Sequence, residues 1–213
     1  VIVQARASSG RFPNKILKKV RNKSLIEILI KRLKKSKECK KIILAIPKNN
    51  KQKRLKQHLQ KLKVKIFEGS EKNVLDRFYK ASIQNKSDLI VRVTGDCPIW
   101  ASGIIDKLVR IAKKKKYDYV SNVFPPSFPN GLDVSVMTAK ALYKAWKNSK
   151  TTFDKEHVVP FIQKSKMFKR YNLKHSVNLS QERWTVDEPE DFDVIKKIIL
   201  NSKGLNFKWK SIL

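Results

Sequence analysis

Three stretches of this 213-residue chain carry side chains that could do chemistry together. The first is Arg6-Ala7-Ser8-Ser9-Gly10-Arg11-Phe12-Pro13-Asn14-Lys15, which combines two hydroxyls, a glycine, two arginines and a lysine. Ser and Gly let backbone amides approach a phosphate, while Arg and Lys neutralise its charge and donate to its oxygens. A solvated basic turn has the same composition, and the loop is neither a Walker A sequence nor GxGxxG. The second stretch, Val91-Arg92-Val93-Thr94-Gly95-Asp96-Cys97-Pro98, places Asp96 on the turn that ends a β-rich run. The third, Arg183-Trp184-Thr185-Val186-Asp187, reads as another strand ending in Asp. In an open α/β sheet, a carboxylate just past the carboxyl end of a strand faces the crevice where ligands bind. Each Asp also reads as a turn or helix-cap residue. Asp187 by itself reads as a cap, because Glu188-Pro189-Glu190-Asp191 opens a helix in the ordinary way. Two strand-end carboxylates with one basic Ser/Gly loop are the minimal kit for a Mg²⁺-dependent nucleotide site. Magnesium takes one or two carboxylates and fills its shell with water and phosphate oxygens.

The elements that must position these groups alternate along the chain. A strand at 1–5 precedes the basic loop, and Ser24 with Glu27 caps a helix whose apolar spacing runs to about Lys37. Strands are expected at 41–47, 64–69, 88–94 and 117–123, and helices at 50–62, from Asn73 onward, and at 102–115. Strands alternating with helices predict an α/β layer with a largely parallel sheet. The pattern breaks at Phe124–Gly131, where three prolines exclude regular structure. A half-exposed strand at 132–138, helices at 139–148 and 154–164, and a strand and loop at 168–180 follow. Residues 124–180 are therefore read as an inserted lobe or arm of one domain spanning 1–213. The chain opens on Val1 inside a strand, so the first strand is expected to begin ahead of it.

Composition narrows the function classes. Hydrophobic residues at 41% are enough for one substantial core, and no run approaches the roughly 20 apolar residues of a membrane span. No targeting segment is visible, so a cytoplasmic protein without membrane insertion is expected. Cys39 and Cys97 have no metal-ligand spacing and His58, His157 and His175 no partner pattern, so neither a zinc site nor a triad can be assembled. Cys97 reads as a small buried side chain. The net charge of +31, from 49 basic and 18 acidic residues, suggests a polyanion partner. Its lysines are spread over helix faces without interleaved aromatics, which is also what a general lysine bias produces, and no nucleic-acid partner is expected.

QARASSGRFPNK, VRVTGDCP, NGLDVSV, EHVVPFI and RWTVDEPEDFDVI together resemble the cytidylyltransferase family of CMP-sialic acid and CMP-KDO synthetases, nearest its spore-coat polysaccharide, SpsF-like branch. The resemblance runs nearly end to end. It implies a three-layer nucleotide-diphospho-sugar transferase fold, GT-A-like and Rossmann-like, and a reaction in which a sugar hydroxyl attacks CTP to give a CMP-sugar and pyrophosphate. By that resemblance Arg6, Ser8, Ser9, Arg11 and Lys15 hold the triphosphate, with Asp76, Arg77 and Thr94 near the nucleotide. Asp96 and Asp187 bind Mg²⁺, and Lys15, Arg11 and Asp96 carry the catalysis. Asn130, Asp133, Glu156, His157 and Arg183 face the sugar acid, and the lobe also contributes to a homodimer. Asn14 stands where the branch has Gly, which is tolerable because Asn enters left-handed backbone conformations. Thr94 stands where KDO enzymes have Gln. Two other readings compete: a glycosyltransferase of the same fold using a nucleotide-sugar donor, and a non-catalytic basic module for polyanions.

Overall fold

A computed structural model describes residues 1–205 and 207–213. β1 (Ile2–Gln4) leads into the basic loop and then into a small hairpin, β2 (Lys19–Val20) with β3 (Lys23–Ser24). Its two-residue turn holds Arg21 and Asn22 at φ 50° and 59°. The sequence reading has no hairpin here, because two-residue strands show no alternation and the turn lacks glycine. α1 (Leu25–Leu33) starts as expected, with the Glu27 amide donating to Ser24 Oγ (3.2 Å). It stops at Leu33 rather than near Lys37. The Asp106 carboxylate and Ser36 hydroxyl instead accept from the amides of Lys37, Glu38 and Cys39.

β4 (Ile43–Pro47), α2 (Lys53–Lys61), β5 (Lys65–Gly69), α3 (Val74–Gln84), β6 (Leu89–Thr94), α4 (Ser102–Lys115) and β7 (Tyr119–Ser121) follow the expected alternation. β8 (Ser135–Thr138) and α5 (Ala139–Asn148) come next. The helix expected over 154–164 is two short ones, α6 (Thr152–His157) and α7 (Pro160–Lys164). Val158 between them takes φ 72°, and Pro160 has no amide hydrogen to continue the ladder. After β9 (Arg170–Asn172), the strand expected at 183–187 is absent from the sheet. This segment is extended but makes only an isolated bridge to Asn130, followed by α8 (Pro189–Asn201). Its amides bond to loops, Trp184 to Asn130 O and Val186 to Asp96 O, so it lies across the ends of strands.

The seven-stranded sheet has the order β5-β4-β1-β6-β8-β7-β9, and β8 alone runs against the others. Residues 124–180 supply β8 between β6 and β7, β9 at the edge, and α5 to α7. One face packs on α1, α2, α4 and α8 around residues such as Leu29, Leu55, Leu108 and Ile195. The other packs on α3, α5 and α7 around Phe78, Leu142 and Ile162. This is a three-layer α/β fold of Rossmann-like type with a mostly parallel sheet. Each fully buried Leu, Ile or Phe contributes about 1.5–3 kcal/mol, so these two apolar faces hold the fold and leave the strand ends free for polar groups. From β1 the chain builds outward through β4 and β5, then returns to the other side of β1 as β6. The crevice beyond β1 and β6 is therefore the switch point at which such sheets bind ligands.

Candidate active site

The loop after β1 is shaped by residues outside it. The Ala7 carbonyl accepts from the amides of Ser9 and Asn14, both at 3.0 Å, and Asn14 sits at φ 57°, ψ 19°, the left-handed conformation that asparagine tolerates. Gln52, 1% exposed, accepts from the Ala7 amide (2.7 Å) and donates to Ser8 Oγ (3.0 Å). Ser8 in turn donates to Glu71 (3.1 Å). Ser8 thus secures the loop, and Ser9, Gly10 and Arg11 are left to face the crevice. Gln52 and Glu71 escaped the sequence reading because each lies in a segment that reads as exposed helix or turn.

Across the crevice, the Gly95 amide donates to the Gln4 carbonyl (2.8 Å), drawing the ends of β1 and β6 together. A Cβ on Gly95 would lie 3.0 Å from that carbonyl oxygen, so the close approach favours glycine. Asp96 then projects from the turn. Thr94 Oγ1 lies 3.1 Å from Cys97 Sγ, and burial, with Asp96 beside it, pushes the Cys97 thiol well above its usual range. Cys97 is a small buried side chain, as expected from the sequence.

Asp96, just past β6, and Asp187, just ahead of α8, meet at Lys15. Its Nζ donates to Asp96 Oδ2 (3.1 Å) and Asp187 Oδ1 (2.7 Å), and the residue is 7% exposed. Arg11 reaches Asp187 at 3.5 Å and donates to Glu188 at 3.1 Å. Arg6, Ser9, Arg11, Lys15, Asp96 and Asp187 line one cleft of about 210 Å³, together with Thr94 and Gly95. Asp187 is aimed by Asp191, whose carboxylate accepts from the amides of Asp187 (2.8 Å) and Glu188 (3.0 Å) as a helix cap. Asp191 also accepts both arms of Arg183, from Nε at 2.6 Å and Nη2 at 2.8 Å. Those hydrogen bonds hold its carboxyl well below the usual carboxylate range. Asp191 was read only as helix-start chemistry; its register as third residue of α8 was the signal available.

The remaining expected residues are placed variously. Arg77 is buried beneath β5, donates to the Ser70 carbonyl, and is lowered to about 10 by burial with Arg6 nearby. Asp76 pairs with Lys80 (2.9 Å) and accepts from Trp146 Nε1 (2.9 Å) on the α3–α5 surface. Asn130 bonds through its backbone to Glu182 and Trp184, and the Asp133 carboxyl, which accepts from the Gly131 amide (3.3 Å), is pushed up by burial. Glu156 and His157 are exposed on α6 and do not line the cleft. Arg183 is directed at Asp191.

Among the described residues, no group of three or more His, Cys, Asp or Glu side chains could hold a metal ion. The pair Asp96 and Asp187 nevertheless fits magnesium, since both carboxylates already share one cation, the Lys15 ammonium, and are 29% and 26% exposed toward the cleft. Two carboxylates are what a Mg²⁺ that also binds phosphate oxygens and water requires.

Comparison with known proteins identifies the family. The sequence model of the cytidylyltransferase family matches residues 1–210. An uncharacterized protein of Methanocaldococcus jannaschii is 42% identical over 100% of this chain and 87% of its own. The spore coat polysaccharide biosynthesis protein SpsF of Bacillus subtilis is 28% identical over 92% and 84%. A cytidylyltransferase structure from Leptospira borgpetersenii superposes with a TM-score of 0.94 at 27% identity, covering 99% of this chain and 90% of that one. A CMP:2-keto-3-deoxy-manno-octonic acid synthetase complexed with CTP shares the fold, with a TM-score of 0.70 at 12% identity over 93% and 97%. With a family match over nearly its whole length and its two carboxylates gathered at one cleft, the chain belongs to the cytidylyltransferase family.

Proposed function

We propose that this protein transfers CMP from CTP to a hydroxyl of a sugar acid, releasing pyrophosphate, in the synthesis of a surface glycan. The observation that carries this reading is the bridging of Asp96 and Asp187 by Lys15 at the mouth of a basic Ser/Gly loop. The likeness to SpsF, a spore coat polysaccharide biosynthesis protein, and to a synthetase complexed with CTP supports the nucleotide and the acceptor class.

In this reading Arg6, Arg11 and Lys15 neutralise the triphosphate, and the amides around Ser9 and Gly10 approach its oxygens. Asp96 and Asp187 would hold Mg²⁺, which supplies charge neutralisation to phosphate oxygens when bound. The Lys15 ammonium exchanges a carboxylate contact for phosphate once nucleotide enters. The acceptor oxygen forms a bond to the α-phosphorus as the bond to the bridging oxygen of pyrophosphate breaks, and the hydroxyl proton passes to water. Such transfer depends mostly on positioning and charge neutralisation, which is what these cations and carboxylates provide. Residues 124–180 would face the acceptor and a second subunit of a homodimer working in the cytoplasm.

The test is pyrophosphate release with Mg²⁺, each of the four nucleoside triphosphates, and a panel of 2-keto sugar acids. A requirement for CTP and one acid is expected. Turnover with a nucleotide sugar instead of a free triphosphate would establish a glycosyltransferase, and absence of both turnover and CTP stabilisation would defeat the nucleotide site.

A further inference from the structure

Three buried or half-buried arginines use their donors differently. Arg32 donates to the carbonyls of Trp100 (2.8 Å), Leu205 (2.6 Å) and Phe207 (3.2 Å) and lies over the Phe207 ring, so its charge is fully employed in packing. Arg77 donates to the Ser70 carbonyl and its Nε, like that of Arg92, has no partner among the described residues, but at 1% exposure it is sealed from any ligand. Arg92, on β6, is half-buried. Its Nη2 makes one long bond to Gln4 Oε1 (3.3 Å), its buried Nε has no partner, and it forms no ion pair among the described residues. A guanidinium has five donors and a buried charge is ordinarily paired; Arg92 feels the Asp96 and Asp133 carboxylates without an ion pair to either, so it lacks a direct anionic partner.

Its neighbours across the sheet are polar as well. Arg92 registers with Ser135, Ser135 with Ser121, and Ser121 with Asn172, so these four side chains stand in line on one face of β6, β8, β7 and β9. Interior strands of a covered sheet ordinarily carry Val, Ile or Leu at such positions. Ser135 Oγ lies 2.9 Å from Tyr119 Oη, which accepts from Gln163 Nε2 (3.1 Å), and Ser121 donates to Asn172 Oδ1 (3.1 Å). At the far end, Tyr119, Ser121, Gln163 and Asn172 line a second pocket of about 310 Å³, with Phe124 and Tyr171 among its walls. At the near end, Gln4 belongs both to the Arg92 contact and to the carboxylate cleft. The row therefore runs from the side of one to the wall of the other. Arg92 at one end, Arg170 in the pocket wall at the other, several hydroxyls and amides between them, and flanking aromatic rings suit a polyhydroxylated ring bearing a negative charge.

We propose, resting on the function given above, that Arg92 is the specificity-determining residue of the acceptor subsite: it receives the carboxylate of the sugar acid, while Ser135, Ser121 and Asn172 form the floor under its hydroxyls. In a 2-keto sugar acid the carboxylate and the anomeric hydroxyl share a carbon. An acid anchored at Arg92, two residues before the Thr94 end of β6 and four before Asp96 on the following turn, thus brings its nucleophile to the mouth of the cleft.

The test uses the full chain with Mg²⁺ and α,β-methylene-CTP, titrated with N-acetylneuraminate, with 3-deoxy-manno-octulosonate, and with the methyl ester of each. Wild type is expected to bind at least one acid more tightly than its ester, on the order of 10²-fold, the scale of an uncompensated buried charge. Arg92→Met should keep its CTP-induced rise in melting temperature and lose the preference for the acid, with Arg92→Lys between. Equal binding of acid and ester by wild type, binding of neither acid, or an unchanged preference in Arg92→Lys would each overturn the assignment; the first two need no variant that folds. Failure of wild type to bind CTP is a different result, and would remove the nucleotide function instead.

Discussion

Two acidic clusters lie side by side at the start of α8 and are built on opposite principles. Asp191 accepts four donors, Arg183 Nε on Oδ1 and Arg183 Nη2 with the amides of Asp187 and Glu188 on Oδ2, so both of its oxygens are engaged within the chain. It is electrostatically finished. Asp96 and Asp187 share a single lysine, backed on the Asp187 side by Arg11 at 3.5 Å and Arg183 at 3.7 Å, and both remain open to the cleft. Their capacity is unfilled. The difference separates a carboxylate that positions from a pair that binds: the saturated one can take no ligand, and the unsaturated pair gains from any further cation. Arg183 belongs with the first, because its bidentate grip on Asp191 holds the turn that presents Asp187.

The sharpest way to break this contrast is at the unfilled pair. Asp96→Asn should lower turnover about 10²–10³-fold, the scale of losing a preorganised charge contact to the reacting centre. Its ligand-free melting temperature should be nearly unchanged, and full activity at saturating Mg²⁺ would refute a metal role for Asp96. Lys15→Ala should cost about 10²-fold in kcat/KM. With the bridging cation gone, added Mg²⁺ should raise its melting temperature more than it raises that of wild type. A variant that is merely less stable, with normal kinetics and no greater response to Mg²⁺, would make Lys15 structural.

The saturated cluster predicts a smaller effect of another kind. Asp191→Asn should destabilise the fold by about 2 kcal/mol, as for a hydrogen-bonded charge, and reduce turnover indirectly through Asp187. Its pH dependence is diagnostic. Because the folded carboxyl is held below its unfolded value of about 3.9, its contribution is fully present above that pH. It is lost as pH falls toward the folded value, so melting temperatures of variant and wild type should converge in acid. A gap independent of pH would contradict the ion-pair account. Least of all, Gly95→Ala should cost about 1 kcal/mol through its contact with the Gln4 carbonyl, with a modest rise in KM for CTP as the β1 and β6 ends part; crystallographic superposition of the two loops would detect it.

Much of this arrangement was legible beforehand, and the misses share a cause. The alternation of strands and helices and the Ser24 cap follow from periodicity and local backbone preference, which act within a few residues, while the left-handed Asn14 was legible only through the family resemblance, where Gly stands at that position. The extended run before Asp187 was legible as extended chain but not as a segment outside the sheet, since a β-conformation leaves its hydrogen-bond partner unspecified. Gln52, Glu71 and Asp191 were missed because each is an ordinary polar residue whose meaning is a partner elsewhere. Arg92 was hidden in the opposite way, as one charge in an otherwise apolar strand of a chain with many charges.

By itself, then, the sequence determined the α/β class, the strand-end positions of Asp96 and the basic loop, and the chemistry those groups can offer, because residue type and short-range spacing suffice for these. Tertiary structure alone decided that Asp96 and Asp187 converge on Lys15, 81 and 172 residues away from it, and that Asp191 saturates while they do not. It also decided that Arg92 heads a polar row reaching a second pocket. These are facts about which strand lies beside which. Pairing across a sheet is set by the packing of whole layers, to which no local stretch of chain holds the key.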